Sequence, residues 1–348
     1  MNATRDQFCA MCSPADPRSR TWVEIDRQAL VRNIQRVLKH VPPQGQLIIA
    51  AKKDAYGHGM FELARLVEGM DRIGPLAVAT AEEALALREQ FPRVQVLCLA
   101  VLEGEELARA VARGVILGVT QLDDAAQAAQ AARAAGTVAR AHFKLDTGMG
   151  RLGLQPDEAA QQIPAIEALE GLRVEAVYSH LAAALEVDGS AQHQFGKLER
   201  LRERVGWGAL PIHWGGSDAL VLASQMPPTA SLRSGIAVYG DHALVEELEP
   251  VMTFKSRVVF RRRVPAGTSL SYGMTFTTAH QTELALVGVG YGNGYPRALS
   301  GGAMVLIHGE RCPVLGRVCM DQIIVDVTQT ADQVHVGDEA VLFGRQGE

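Results

Sequence analysis

Eight short apolar runs alternate with amphipathic helical patterns through the first two thirds of this chain. The apolar runs lie at residues 47–52, 75–80, 94–100, 115–120, 140–146, 173–180, 210–215 and 230–235. Helical periodicity occupies residues 61–68, 81–90, 105–113, 123–135, 156–169 and 191–205, and a further helix at 27–39 precedes the first run. Strands that alternate with helices form parallel sheets, and eight such repeats close into a barrel. The pattern therefore predicts an α/β fold, a (β/α)8 TIM-type barrel, over residues 21–249.

The pattern changes at Glu249 and Pro250, where helical periodicity nearly disappears. Strand-like runs separated by glycine and proline turns follow at residues 253–264, 282–289, 303–308, 311–318, 322–327 and 340–343. This predicts a second, mostly β domain over residues 250–348. At the other end, residues 1–20 are polar and interrupted by proline, without the apolar segment of a secretory signal, and we expect a disordered tail there.

Composition argues against two classes of function, nucleic-acid binding and membrane insertion. The chain has 348 residues, 47% of them apolar and 21% charged, with a formal net charge of -5. The chain has no long basic stripe, so nucleic-acid binding is not expected. No apolar segment reaches the length of a membrane span. The five cysteines (Cys9, Cys12, Cys98, Cys312 and Cys319) form an odd set with a single CxxC pair. We therefore expect free thiols in the cytoplasm and no metal site.

Chemically active side chains follow the ends of several predicted strands. In a barrel of this type the active site lies at the carboxyl ends of the strands, and the loops after strands seven and eight often hold phosphate. The candidate residues at those ends are Lys52, Lys144, Asp146, His180, Ser217 and Arg233. Ser217 and the backbone N–H groups around Gly235 and Ile236 lie in the two phosphate-binding loops. The sequence thus predicts a ligand that carries a phosphate group.

The segment at residues 52–59, K-K-D-A-Y-G-H-G, delivers two lysines at the end of the first strand. An amine in such a place can be made nucleophilic enough to form a Schiff base. Strand alternation puts Lys52 and Lys53 on opposite faces, but it does not tell which face points into the barrel. Taken alone, the segment is equally compatible with an ordinary surface turn.

Six motifs in order resemble those of the alanine racemases, which depend on pyridoxal 5′-phosphate. They are K-x-x-A-Y-G-H-G at residues 52–59, K-L-D-T-G-M-G-R at 144–151, S-L-R-S-G-I-A-V-Y-G at 231–240, S-Y-G-M-T at 271–275, G-Y-G-N-G-Y-P-R at 290–297 and G-R-V-C-M-D-Q at 316–322. The resemblance extends over residues 22–344. It implies a barrel plus β domain and the interconversion of L- and D-alanine, which supplies D-alanine for cell-wall peptidoglycan.

The resemblance also implies roles for individual residues. Lys52 would hold the cofactor and act as one base, while Tyr272 of a second subunit would act as the other in a homodimer. The cofactor site would consist of Lys52, Tyr56, Arg151, His180, Ser217, Arg233, Gly235 and Ile236, with Arg233 facing the pyridine nitrogen and His180 supporting Tyr272. Arg151 and the backbone of Met320 would contact the substrate, and Tyr291 and Arg297 would line an entry channel. Lys144, carbamylated in some members, would orient Arg151. His213 is equally compatible with a role in the site and with a packed position in the core.

The chain departs from the family pattern at a few positions. Lys53 and Asp54 stand where the family has alanine and asparagine, Gly216 stands for an asparagine, and Asn293 stands for an aspartate. The sequence also ends before an R-V-P-R-x-Y-like segment that contributes a tyrosine to the phosphate site. We therefore keep two alternatives, a racemase for another amino acid such as serine and an impaired or non-catalytic cofactor-binding protein that retains the cofactor weakly.

Overall fold

The computed structural model describes residues 19–184, 189–242 and 245–346. The chain forms two compact units: one contains Arg27–Glu249, and the other joins the residues up to Asp26 to those from Pro250 onward. The predicted disordered tail lies outside the described residues except for its last two positions, and so do Cys9 and Cys12. The barrel domain was predicted to start at residue 21, but strand β1 (Thr21–Ile25) pairs with the sheet of the C-terminal unit.

The Arg27–Glu249 unit contains the predicted barrel of eight parallel strands. These are β2 (Leu47–Ile49), β3 (Leu76–Val78), β4 (Val96–Cys98), β5 (Ile116–Val119), β6 (Ala139–Lys144), β7 (Leu172–His180), β8 (Ile212–Gly215) and β9 (Ser231–Ser234). Strands β2 to β5 are buried at every position, as expected where helices cover a parallel sheet. The barrel closes between β2 and β3, where the Ala51 N–H donates to the carbonyl of Ala77 at 2.8 Å.

Helices connect the barrel strands in the predicted order. They are α1 (Arg27–Leu38), α2 (Met60–Val67), α3 (Ala81–Gln90), α4 (Gly104–Ala112), α5 (Leu122–Ala134), α6 (Pro156–Glu167) and α7 (Ser190–Arg204). Helix α3 begins where the Thr80 hydroxyl accepts the Glu83 N–H. Helix α4 ends before Gly114, whose φ of 65° lets its N–H reach the carbonyl of Val111. Turns of 3-10 helix, Ser217–Gln225 and Ile236–Tyr239, follow β8 and β9.

The end of the barrel unit is anchored to α1 through Glu249. The Asn33 side-chain amide donates to the Glu249 carbonyl at 2.7 Å and accepts the Glu249 N–H at 2.9 Å. The Glu249 carboxylate accepts from Arg32 and Arg36, each at 2.6 Å. These bonds hold the chain at the position where the sequence predicted the change of domain.

The C-terminal unit is built on an antiparallel sheet of seven strands. Its strands after β1 are β10 (Met252–Val264), β13 (Thr282–Val287), β14 (Met304–Ile307), β15 (Glu310–Leu315), β16 (Ile323–Asp326) and β17 (Glu339–Phe343), while β11 (Ser269–Leu270) and β12 (Phe276–Thr277) form a separate hairpin. The order is β1-β10-β13-β16-β15-β14-β17, and an additional pairing of β17 with β10 closes the sheet. Its core is rich in buried valine and isoleucine, which favour strands. The prediction of a mostly β domain is confirmed.

Candidate active site

A left-handed turn carries the chain out of β2. Residues 53–56 all have φ between 53° and 56°, a conformation that costs about 1–2 kcal/mol for each non-glycine residue. Two side chains hold it, one from helix α3 and one from the turn itself. Glu83 accepts the Lys53 N–H at 2.5 Å, and Asp54 accepts the N–H of Met60 at 2.7 Å. The sequence was compatible with a turn here, but nothing in it predicted the left-handed conformation.

The turn separates the two adjacent lysines. Lys52 is half-buried and lines a cavity of about 330 Å³ at the carboxyl ends of the strands, whereas Lys53 is exposed and does not line it. The structure thereby answers the question that strand alternation left open. The same cavity is lined by every barrel residue predicted for the cofactor site, together with Lys144: Lys52, Tyr56, Arg151, His180, Ser217, Arg233, Gly235 and Ile236.

Arg233 is 5% exposed and donates to three neutral acceptors. Its guanidinium nitrogens lie 2.7 Å from Nδ1 of His213, 3.2 Å from Nδ1 of His180 and 3.2 Å from the carbonyl of Ser179. Because a guanidinium has no acceptor, both imidazoles must accept through Nδ1 and carry their proton on Nε2. Burial lowers the pKa of His180 to about 3 and that of Arg233 to about 10, so the imidazole is neutral and the guanidinium charged at pH 7. His213 is therefore a partner of Arg233 rather than only a packed core residue.

Lys144 is the most buried lysine of the cavity. It is 5% exposed, its Nζ lies 3.5 Å from the carbonyl of Leu145 and 5.2 Å from the ring centroid of Tyr178, and burial lowers its pKa to about 7. The sequence analysis placed a candidate nucleophilic amine at the end of the first strand, and Lys144, at the end of the fifth, is the more deeply buried of the two lysines. The difference arises because Lys144 belongs to β6 itself, whereas Lys52 follows the last residue of β2.

Hydroxyl groups and glycines lie where the loops after β8 and β9 begin. Ser217 Oγ lies 3.0 Å from Ser234 Oγ and 3.3 Å from the N–H of Ala237. A Cβ on Gly235 would lie 2.8 Å from the Tyr56 hydroxyl, and a Cβ on Gly215 would lie 1.8 Å from a guanidinium nitrogen of Arg233. These two positions therefore keep backbone close to cavity-lining side chains, as a phosphate cradle requires.

The candidate residues of the C-terminal unit lie on exposed segments. Tyr272 is 70% exposed, Met320 53% and Tyr291 43%, and Arg297 is exposed as well. Tyr291 and Met320 are brought together, because the carbonyl of Met320 accepts the N–H of Gly292 at 2.9 Å. The Ser271 hydroxyl, directly before Tyr272, donates to the carbonyl of Arg317 at 2.7 Å. The motifs around Tyr272 and Met320 are thus neighbours within this unit.

Sequence reasoning missed several polar residues at the site. Tyr178 stacks on His213 with ring centroids 4.7 Å apart, and Tyr239 donates its hydroxyl to the carbonyl of Ala50 at 2.7 Å. Thr147, Ser179 and Gln194 form a buried hydrogen-bonded group beside His180. Their position directly before the candidate His180 could have indicated Tyr178 and Ser179, but nothing near Gln194 in the sequence does so.

Within residues 19–184, 189–242 and 245–346, no group of three or more His, Cys, Asp or Glu side chains could hold a metal ion. No helix in that part of the chain is long and apolar enough to cross a membrane.

Comparisons with known proteins agree with this geometry. Residues 25–243 match the family described as alanine racemase, N-terminal domain, and residues 251–348 match alanine racemase, C-terminal domain. An alanine racemase of Desulforamulus reducens is 39% identical over 339 residues, which are 93% of this chain and 90% of that protein. The structure of the Clostridium difficile alanine racemase has a TM-score of 0.87 at 30% identity and covers 94% of this chain and 88% of its own.

A third relative is described with its cofactor. The crystal structure of alanine racemase from Bartonella henselae, with covalently bound pyridoxal phosphate, has a TM-score of 0.84 at 26% identity and covers 94% of this chain and 91% of its own. The two matched domains together extend over both units described above. The chain therefore belongs to the alanine racemase family.

Proposed function

We propose that this protein interconverts L- and D-alanine with pyridoxal 5′-phosphate as its cofactor. One observation carries the proposal beyond family membership. Lys52, Arg233 and the hydroxyl-lined start of the loops after β8 and β9 meet in one cavity at the carboxyl ends of the barrel strands. That is the arrangement predicted for a phosphate-bearing ligand held covalently through a lysine.

The donor set of the cavity fits this cofactor. Among the described residues, two lysines and two arginines line it (Lys52, Lys144, Arg151 and Arg233), and one carboxylate, Asp218, is paired with His242 at 3.0 Å. An anionic ligand would therefore balance buried positive charge. Ser217 and the backbone around Gly235 and Ile236 offer donors for the phosphate, and Tyr56 lies against the same glycine. The residues present thus suit a phosphate at one end and a Lys52 linkage at the other.

Arg233 would tune the chemistry that the cofactor supplies. When bound, pyridoxal phosphate provides an electron sink next to the α-carbon of the amino acid. Arg233 keeps its protons at neutral pH, and its neighbours His213 and His180 already occupy two of its donor directions as neutral acceptors. A donor of this kind, facing the pyridine nitrogen, leaves that nitrogen unprotonated and limits the side reactions of a stronger sink.

Lys52 and Tyr272 are the two bases of the proposal. The Nζ of Lys52 would move the α-proton on one face of the substrate, and the phenol oxygen of Tyr272 would move it on the other. Tyr272 would come from a second copy of the chain, with His180 as its support. The exposure of Tyr272 and of its neighbour Met274, which are 70% and 74% exposed, supports a homodimer in which another surface covers them.

The remaining residues would bind and orient. Arg151 and the backbone of Met320 would contact the substrate, and Tyr291 and Arg297 would line its entry. Burial beside Arg233 and Arg151 lowers the pKa of Lys144 to about 7, so part of this lysine has the unprotonated nitrogen that carbamylation requires. That nitrogen adds CO2 and releases one proton, which leaves an anion that can orient Arg151. We also propose a cytoplasmic location, which the buried free thiols of Cys98 and Cys312 support.

A racemisation assay tests the proposal. Purified protein is given L-alanine, D-alanine or L-serine, with and without added pyridoxal phosphate, and both enantiomers are quantified. We expect interconversion of alanine in both directions, dependent on the cofactor and faster than that of serine. Faster turnover of serine would favour the alternative substrate. Binding of the cofactor without turnover of either would favour the non-catalytic alternative, which the presence of the C-terminal domain disfavours.

Mixing two inactive variants tests the homodimer. Lys52→Ala and Tyr272→Phe proteins are mixed under conditions that allow subunit exchange, since one site of a heterodimer would then contain both bases. We expect partial recovery of racemisation. No recovery, with exchange demonstrated by differently tagged subunits, would mean that both bases come from one chain.

A further inference from the structure

Gln194, on the second turn of α7, is an active-site neighbour for which no motif or comparison suggests a role. Its side chain is 3% exposed. Its amide nitrogen donates to Thr147 Oγ1 at 2.9 Å and to the carbonyl of His180 at 3.0 Å, and its amide oxygen accepts the N–H of Ala182 at 3.0 Å. One side chain therefore joins the loop after β6 to the loop after β7.

The directions of these hydrogen bonds are determined by their partners. The Ala182 N–H can only donate and the His180 carbonyl can only accept, so the amide of Gln194 has a single compatible orientation. Thr147 accepts from that amide and lies 2.8 Å from Ser179 Oγ, and the Ser179 hydroxyl donates to the carbonyl of Leu145 at 2.9 Å. Thr147 must therefore donate to Ser179. The bonds run in one direction from Gln194 to Leu145.

The far end of this chain of hydrogen bonds touches two cations of the cavity. The carbonyl of Leu145 lies 3.5 Å from Nζ of Lys144. The carbonyl of Ser179 accepts from Arg233 at 3.2 Å. Thr147 and Ser179 are 1% and 0% exposed, so water cannot replace a missing partner without a rearrangement. A change at Gln194 would therefore reach the acceptors that contact Lys144 and Arg233 through Thr147 and Ser179.

We propose that Gln194 is a positioning residue for the racemisation site, acting through Thr147 and Ser179 on the backbone that carries Lys144, His180 and Arg233. This inference rests on the proposed function. Gln194 does not line the cavity, so its effect is on the placement of cavity side chains and not on direct contact with cofactor or substrate. Hydrogen-bonded groups that act as one unit lose most of their effect when any single member is removed.

The test compares Gln194→Met with Gln192→Met. Gln192 lies on the same helix, is exposed and donates to Gln225 at 3.3 Å, so it is a matched control. For Gln194→Met we expect the dissociation constant of pyridoxal phosphate, from absorbance titration, to rise about tenfold and kcat to fall about tenfold, because buried polar groups lose their partners. KM for alanine should change less than kcat, and Gln192→Met should match the parent.

Two variants at Thr147 complete the experiment. Thr147→Val removes the hydroxyl and should reproduce the Gln194→Met values, whereas Thr147→Ser keeps it and should restore those of the parent. The Gln194→Met, Thr147→Val double variant should be no worse than either single variant. Additive losses, or a lower unfolding midpoint with unchanged dissociation constant and kcat, would overturn the positioning role alone. Absence of racemisation by the parent would overturn the proposed function and this role with it.

Discussion

The two units present their candidate residues in opposite ways. In the barrel unit, Arg233, Lys144 and His213 are at most 5% exposed and are held by hydrogen bonds or ring contacts from neighbouring strands. In the C-terminal unit, Tyr272, Tyr291 and Met320 are 43% to 70% exposed. The difference teaches that the barrel unit holds its own candidate residues in place. The surface of the second unit is suited to meet another surface.

This contrast predicts two kinds of mutational effect. A change in the barrel unit disturbs buried and mutually dependent groups, so it should alter cofactor binding or stability together with turnover. A change at the exposed residues of the second unit should alter turnover while the fold stays intact. Four substitutions separate these expectations.

The largest effect is expected for Lys52→Ala. Loss of the lysine proposed to hold the cofactor and to move a proton should lower racemisation by about 10³-fold or more, since proton transfer alone contributes about 10²–10⁴-fold. Lys53→Ala is the matched control, because Lys53 is exposed and does not line the cavity. Peptide mapping after borohydride reduction of protein incubated with pyridoxal phosphate checks the assignment. Label on Lys53 would contradict it.

The next effect is expected for Tyr272→Phe, compared with Tyr239→Phe. The first should lower racemisation about 10²–10⁴-fold and leave the free energy of unfolding within about 0.5 kcal/mol of the parent, because the side chain is 70% exposed. The second removes a buried hydroxyl that donates to Ala50 at 2.7 Å and should cost about 1–3 kcal/mol of stability. Denaturant unfolding and initial rates measure both. Equal destabilisation by the two would break the contrast between the units.

A third effect is expected for the stability of Lys144→Met as a function of pH. The pKa of Lys144 is lowered by burial from 10.5 to about 7, so between these values the unfolded chain binds more protons and the stability of the parent rises with pH. Below pH 7 the cost of the buried charge is fully present, on the order of 3–5 kcal/mol. The variant should therefore be more stable than the parent at pH 6, with a difference that closes towards pH 10.5.

Unfolding curves at several pH values, in buffer depleted of CO2, measure this difference. Depletion matters because a carbamate on Lys144 would replace the positive charge with a negative one. A constant difference between Lys144→Met and the parent from pH 6 to pH 10 would show that burial does not lower the pKa of this lysine.

The smallest effect is expected for Gly215→Ala. The new Cβ would lie 1.8 Å from a guanidinium nitrogen of Arg233, so Arg233 must shift and the affinity for pyridoxal phosphate should fall about tenfold. Gly208→Ala is the control, since its Cβ would have no atom within 4 Å. Absorbance titration measures both. An unchanged dissociation constant for Gly215→Ala would mean that the placement of Arg233 matters little for binding.

Much of the barrel could be predicted because its signals are local. Helix α3 was predicted at residues 81–90, which are its observed bounds. Six of the eight predicted strands contain the observed strand, and β6 and β7 begin one residue before the other two. Residues 21–25 were predicted to belong to the barrel domain, and no strand was predicted there. The strand that they form pairs with β10, more than 200 residues along the chain, with Thr21 opposite Ser256. Local periodicity predicts a strand but not the sheet that it joins.

The sequence by itself determined the eight-strand barrel, the β-rich unit and the positions of the family motifs, because periodicity and motif spacing are properties of neighbouring residues. Only the tertiary structure decided that Lys144 is the buried lysine, that residues 53–56 turn left-handed and that Gln194 reaches Thr147 and His180. Burial, strain and hydrogen-bond direction depend on atoms that distant parts of the chain bring together. Those contacts exist only in the folded protein.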